Sequence, residues 1–181
     1  MGLLDGLRGK KPAPASADGL RGLPEAAASL QQAGIPYGGK AGICFRPFDT
    51  TDFDATKSAI LAQLKRAVGH GALATASDEF GYLWALLAGN IGPAVASIQS
   101  IYQALQGGGL EQYILCSVFR FAKDGRAVYL IYNRDGQFYP FAPLDKERDI
   151  PLELKIKGLL KGSLPVEKAI TRWYPLWGLP V

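Results

Sequence analysis

Apolar side chains recur at three- and four-residue spacing in several stretches of the chain, as they do on amphipathic helices. The spacing predicts helices over residues 24–32 and 53–68, and a third helix that begins at Asn90 and ends at the glycines 107–109. A short last helix is predicted over residues 165–173.

Residues 150–160 fit two patterns. Apolar and polar residues alternate there, as in a strand. The same stretch also fits a helical stripe, formed by Leu152, Ile156, Leu159 and Leu160. Asp149 is followed two positions later by a proline, which is typical of a helix start. The helix is therefore favoured.

Alternation of apolar and polar residues, typical of half-buried strands, predicts strands over 40–48, 72–76 and 80–88. Two aspartate–glycine pairs follow in the second half of the chain. Such pairs favour tight hairpins, because a type I′ turn needs positive φ at both central residues. The turns at Asp124-Gly125 and Asp135-Gly136 predict a three-stranded meander over 112–122, 127–133 and 137–141.

These elements predict an α+β fold. Hairpins require antiparallel pairing, so we expect a single antiparallel sheet of about five or six strands with helices mainly on one face. Residues 23–181 are predicted to form one globular domain, and residues 1–22 a flexible basic leader. The leader places Leu3, Leu4 and Leu7 at helical spacing and continues into Lys10 and Lys11, so it could touch an anionic membrane surface or a partner protein.

Composition narrows the range of functions. Hydrophobic residues make up 48% of the chain and the net charge is +4, which is typical of a soluble globular protein. The sequence has no dense basic stripe, so a nucleic-acid partner is not expected. It also has no long uninterrupted apolar run, so neither a signal peptide nor a spanning helix is expected. A cytoplasmic location is expected, with peripheral contact to a membrane if the leader binds lipid.

The sequence contains no recognisable catalytic or phosphate-binding motif, so we expect no enzymatic activity. Cys44 and Cys116 lie in apolar runs and read as buried thiols, and neither a metal site nor a cofactor is expected. One alternative stays open. Arg46 and Arg120 border or interrupt apolar strands, and together they could grip an anionic ligand in a small binding domain or an unrecognised enzyme.

The C-terminal stretch is rich in aromatic residues. Trp173, Tyr174 and Trp177 could wrap the core or be presented to a partner as a docking surface. Self-association through an exposed strand edge is a further alternative.

Several segments, in order along the chain, resemble one known family. They are MGLLD at the start, LPEAA at 23–27, GICF at 42–45, FGYLW at 80–84, FYPFAPL at 138–144 and RWYPLWG at 172–178. Together they resemble the PspAB family, the phage-shock-protein-A-associated proteins of bacteria. The resemblance implies an accessory of the envelope stress response that works alongside the coiled-coil protein PspA, in the cytosol or at the inner face of the membrane. It supplies no catalytic residues.

Overall fold

Six strands form one antiparallel sheet in the computed structural model, which describes residues 16–46, 53–68, 73–78 and 80–181. Across the sheet the strands follow the order β2-β3-β1-β4-β5-β6. Their bounds are β1 Tyr37–Phe45, β2 Leu73–Ser77, β3 Leu83–Ala88, β4 Ile114–Lys123, β5 Arg126–Asn133 and β6 Phe138–Phe141. A separate two-stranded ribbon consists of β7 Pro143–Leu144 and β8 Glu147–Arg148.

Within the described ranges, four α-helices accompany the sheet: α1 Leu23–Gln32, α2 Phe53–Val68, α3 Ile91–Gly107 and α4 Ile150–Leu160. All four contribute buried apolar residues to the core on one sheet face, where Ile98 of α3 joins the same cluster as Ile43 and Phe119. The α+β class, the single main sheet and the helix over 150–160 are thus confirmed. Among the described residues, no helix is both long and apolar enough to cross a membrane.

The opposite face of the sheet carries no helix from the described residues. It is covered by the C-terminal strap (residues 173–181), whose Trp173, Leu176 and Val181 share a buried cluster with Trp84 and Phe141 of the sheet. The strap lies close to the strands. A Cβ at Gly42 would stand 3.1 Å from a methyl group of Val181, so glycine gives the strap room at this point.

The meander is confirmed, and its two turns differ. Asp124 and Gly125 both have positive φ, as a type I′ turn requires. In the second turn only Gly136 has positive φ, and Asn133 closes the turn by accepting a hydrogen bond from the Gln137 N–H through its side chain.

The predicted helix over 165–173 is wrong. Only Ile170–Arg172 form a single 3₁₀ turn. The preceding residues extend along the outer edge of β6, where the Phe138 N–H donates to Pro165 O at 2.7 Å and Phe138 O accepts from the Glu167 N–H at 2.8 Å. An edge strand has unpaired backbone groups, and this segment satisfies two of them.

Several observed strand boundaries also differ from the predicted ones. Strand β1 begins at Tyr37 and ends at Phe45 instead of covering 40–48, and β4 begins at Ile114 because Glu111–Tyr113 form a 3₁₀ turn. Strand β3 begins at Leu83, since Asp78 holds the preceding loop.

The Asp78 carboxylate accepts hydrogen bonds from the N–H groups of Phe80 and Tyr82 and from the indole N–H of Trp84. Three donors on one carboxylate fix the bend before β3.

The chain packs against the domain before α1 begins. Asp18–Gly22 form a 3₁₀ turn in which Leu20 is fully buried. The Tyr132 hydroxyl accepts from the Gly19 N–H at 3.2 Å and donates to Ser16 O at 2.9 Å. The last residues of the predicted leader therefore belong to the core. Residues 1–15 lie outside the described residues, so the leader itself stays a prediction.

Candidate functional site

A groove of about 670 Å³ lies between α4 and the segment that follows it. The segment turns back at Gly162, whose φ of +89° favours glycine, and Leu164 and Val166 then run beside the helix. The lining residues are Gln137, Leu154, Lys157, Gly158, Lys161, Gly162, Leu164, Pro165, Val166 and Lys168.

The groove combines an apolar surface with a basic rim. Leu154 is 43% exposed, although it is a large aliphatic residue on a regular helix. Lys157, Lys161 and Lys168 surround the groove, and none of its described lining residues is acidic. An exposed apolar surface of this kind, edged by one sign of charge, is typical of a binding site.

The carboxylates closest in sequence to these lysines do not neutralise them, because each is committed to an arginine. Glu153 is fully buried and lies 2.7 Å from Arg148. Glu167 is almost fully buried and lies 3.0 Å from Arg172, an ion pair without the geometry of a hydrogen bond. The positive charge of the rim therefore faces solvent uncompensated by these two groups.

The ammonium group of Lys157 is held in place by contacts with Lys168 and Trp173. It donates to Lys168 O at 3.3 Å and lies 5.5 Å from the ring centre of Trp173. The Trp173 indole N–H in turn donates to Glu167 O at 3.0 Å. The tryptophan thus supports the rim of the groove from inside the molecule.

Arg148 and Glu153 join α4 to the C-terminal strap. The guanidinium donates to both oxygens of the Glu153 carboxylate, at 3.1 and 2.7 Å, and to Trp173 O at 2.7 Å. The same carboxylate accepts from the Ala142 N–H at 2.9 Å. A buried charge needs such a full set of partners. We call these two side chains the latch.

The aromatic residues proposed for docking differ in accessibility. Trp173 is 2% exposed, whereas Tyr174 and Trp177 are half-buried. The Trp177 ring stands edge-on to Phe141, with ring centres 5.0 Å apart. The expected wrapping of the core by this segment is observed, and the docking role of the three residues stays a prediction.

The structure does not bring Arg46 and Arg120 together. Arg46 follows the last residue of β1, while Arg120 pairs with Lys40 near the other end of that strand. Six residues of extended chain separate their backbones by about 20 Å, so the two side chains start from opposite ends of the strand. Arg46 instead lies 4.9 Å from the ring centre of Tyr113.

Arg134 lies close enough to Arg46 for the two positive charges to interact. Burial, followed by the positive charge of Arg46, lowers the pKa of Arg134. Its guanidinium donates to Gln112 O at 3.2 Å.

Cys44 and Cys116 are direct cross-strand neighbours in β1 and β4, and both are free, buried thiols. Burial, together with the adjacent Cys116, raises the pKa of the Cys44 thiol well above its usual value. Within the described part of the chain, no cluster of metal-ligating side chains is found.

Of the predicted contact residues, Leu3, Leu4, Leu7, Lys10 and Lys11 lie outside the described residues. The groove itself was missed by sequence reasoning. Its signals were the lysine excess between residues 146 and 172 and the position of Leu154 away from the buried stripe of its helix.

Searches of curated proteins and of solved structures gave no match to this chain. A family model does match, and it covers residues 1–181. Its description is PspA associated protein B. The chain therefore belongs to the PspA-associated protein B family.

Proposed function

We propose that this protein is a non-enzymatic accessory of the bacterial envelope stress response that acts by binding PspA. The observation that carries the proposal is the exposed apolar groove with its lysine rim, in a chain whose family is described by association with PspA. Association surfaces need apolar area to bury and polar groups around it to set the orientation. The groove offers both.

The groove is built on an ordered support, which favours binding of a partner. The latch fixes α4, and the edge of β6 holds the segment that carries Pro165 and Val166. Binding to a surface that is already ordered costs less conformational entropy than binding to a loop.

A membrane contact through the leader is the second part of the proposal. Leu3, Leu4 and Leu7 would enter the lipid interface, and Lys10 and Lys11 would be attracted to anionic headgroups. An apolar face of about two turns gives only weak membrane affinity by itself. The protein would then work in the cytoplasm, with its membrane contact reinforced by PspA.

The direct test is binding between the purified full chain and PspA from the same bacterium, measured by calorimetry at two salt concentrations. We expect a saturable complex with the wild-type protein. Deleting residues 1–11 should reduce co-sedimentation with anionic vesicles and leave the PspA complex in place. Absence of a complex with the wild-type protein would refute the proposed function.

A second candidate function is binding of a small anionic ligand. The volume of the groove falls within the range of about 300–1,000 Å³ that is usual for ligand sites, and its rim is basic. The candidate thereby moves from Arg46 and Arg120 to the lysines of the groove. A rise in Tm with a medium-chain fatty acid, absent with the corresponding alcohol, would support it.

A further inference from the structure

We propose that the groove beside α4 seats an acidic amphipathic helix of the partner protein. This inference rests on the proposed function, since it specifies what kind of PspA segment the groove would accept. It predicts apolar side chains along one face of that segment and aspartates or glutamates along its flanks.

The dimensions of the groove suit a helix. Its wall, α4, has 11 residues and is therefore about 16 Å long. Three apolar anchors at positions i, i+4 and i+7 of a bound helix span about 10 Å, so they fit along this wall. Leu154 and Val166 provide accessible apolar surface for such anchors, with the nearly buried Leu164 beside them, and we call these three side chains the apolar floor of the groove.

The charges of the groove select an acidic partner. Lys161 and Lys168 are exposed, and no ion pair of either is found among the described residues. Lysine side chains carry their charge on long, flexible stems, so they can reach carboxylates on both flanks of a helix that rests on the apolar floor.

Two other occupants fit less well. A flat bilayer cannot fill a concave groove, so the exposed apolar floor would remain uncovered. The leader of this chain carries Arg8, Lys10 and Lys11 against Asp5 within residues 1–15, and like charges oppose its binding beside the three lysines.

The main experiment compares two double charge reversals in the full chain. K161E/K168E changes the rim, and K40E/K65E reverses two exposed lysines on β1 and α2. Both variants change the net charge by the same amount. We expect K161E/K168E to weaken PspA binding at least tenfold and to reduce its salt dependence, while K40E/K65E binds like the wild type.

A second variant tests the apolar floor. Leu154→Ala removes an exposed side chain, so the fold should be retained, and an unchanged Tm would verify this. We expect at least tenfold weaker binding to PspA. Ile170→Ala, which also truncates an exposed aliphatic residue but lies outside the groove, is the matched control.

A peptide probe tests the ligand chemistry independently of PspA. A synthetic helix with leucines on one face and glutamates on the other should bind the full chain and compete with PspA. Its counterpart with lysines in place of the glutamates should bind at least tenfold more weakly. Equal binding of the two peptides would overturn the inference.

The outcomes separate the two proposals. If wild-type protein binds PspA but neither K161E/K168E nor Leu154→Ala changes the affinity, the groove inference fails and the proposed function stands. If the full chain binds the peptide only after residues 1–11 have been deleted, the leader occupies the groove in the intact protein and the inference also fails. Loss of vesicle binding in K161E/K168E with unchanged PspA binding would assign the groove to the membrane.

Discussion

The two faces of the sheet are covered in different ways. The first is packed by four regular helices, whose backbone groups bond to one another within each helix. The second is covered by the C-terminal strap, which has almost no regular structure and leaves its backbone groups to find other partners.

This difference changes what holds each layer in place. On the helical face many apolar contacts hold the helices against the sheet. Replacing one of these side chains by another apolar side chain of similar volume lowers the unfolding free energy only moderately. The strap also buries Trp173, Leu176 and Val181, but its polar contacts are few, chiefly the bond from Arg148 to Trp173 O and the bond from the Trp173 indole to Glu167 O. A layer of this kind should be easier to detach through a single substitution.

The largest effect is expected from breaking the latch. Arg148→Ala leaves the Glu153 carboxylate fully buried without its counter-charge, and such a loss costs about 3–5 kcal/mol of unfolding free energy. Urea denaturation followed by tryptophan fluorescence would measure it. The matched control is Arg126→Ala, which removes a more exposed pair with Asp149 and should cost less than about 1 kcal/mol.

A rescue variant sharpens this prediction. Replacing both members of the latch, as in Arg148→Met with Glu153→Leu, should recover part of the lost stability, because no buried charge remains. Recovery should be incomplete, because the Ala142 N–H and Trp173 O lose their hydrogen-bond partners. If Arg148→Ala costs no more than Arg126→Ala, the strap does not depend on the latch.

The next effect concerns independent opening of the strap. Leu176→Ala on the strap and Ile98→Ala on the helical face should each cost about 2–5 kcal/mol, because both remove buried aliphatic volume. Leu176 shares its cluster with Cys44 and Cys116, so its truncation should loosen the layer above the two thiols. Their reaction with Ellman's reagent should accelerate more in Leu176→Ala than in Ile98→Ala.

The thiols are suitable reporters because the wild-type protein protects them twice. They are fully buried, and the raised pKa of Cys44 reduces its thiolate fraction near neutral pH. Equal labelling rates for the two variants, at equal stability, would show that the thiols are exposed only by global unfolding and that the faces do not open separately.

The helical face is also the one that the sequence predicts best. Regular periodicity identifies α2 and α3 because their buried stripes repeat over several turns. The meander is equally clear, since the Asp124-Gly125 pair constrains both its turn and its register. These signals are local, and no distant contact overrides them.

The strap and the groove depend on distant contacts, which periodicity does not contain. The spacing of Val166, Ile170 and Trp173 is compatible with a helix, yet backbone groups of residues 165 and 167 bond to the open edge of β6. The sequence shows that Arg46 and Arg120 border or interrupt apolar strands, but only the strand register shows that they lie near opposite ends of β1. The groove requires α4 and the returning segment to be adjacent, which no single segment reveals.

A smaller loss of stability is expected at alkaline pH, and buried tyrosines on both faces of the sheet contribute to it. Burial raises the pKa of Tyr102 on the helical face and of Tyr139 on the strap face. Because the folded state holds these protons more tightly than the unfolded state, their stabilising contribution is complete below pH 10 and declines as the pH rises above it. The expected loss is up to about 1.4 kcal/mol per pH unit for each phenol.

Urea midpoints at pH 8, 9.5 and 10.5 would measure this decline. Tyr139→Phe and Tyr102→Phe should each make it shallower. A decline that is unchanged in both variants would assign the alkaline transition to other groups, the Cys44 thiol first, because its ordinary pKa lies lower.

The smallest effect expected is the change in unfolding free energy when either of these two tyrosines is replaced by phenylalanine near neutral pH, where both phenols are protonated. The Tyr102 hydroxyl shares a 3.1 Å hydrogen bond with the buried Ser117, so Tyr102→Phe should cost about 1 kcal/mol and leave Ser117 without this partner. The Tyr139 hydroxyl is buried with no hydrogen-bond partner among the described residues, so Tyr139→Phe should be neutral or stabilising. Paired urea titrations at pH 7 would decide. Equal costs for the two substitutions would mean that the strap satisfies its buried polar groups as fully as the helices do, and the contrast between the two faces would then be limited to backbone groups.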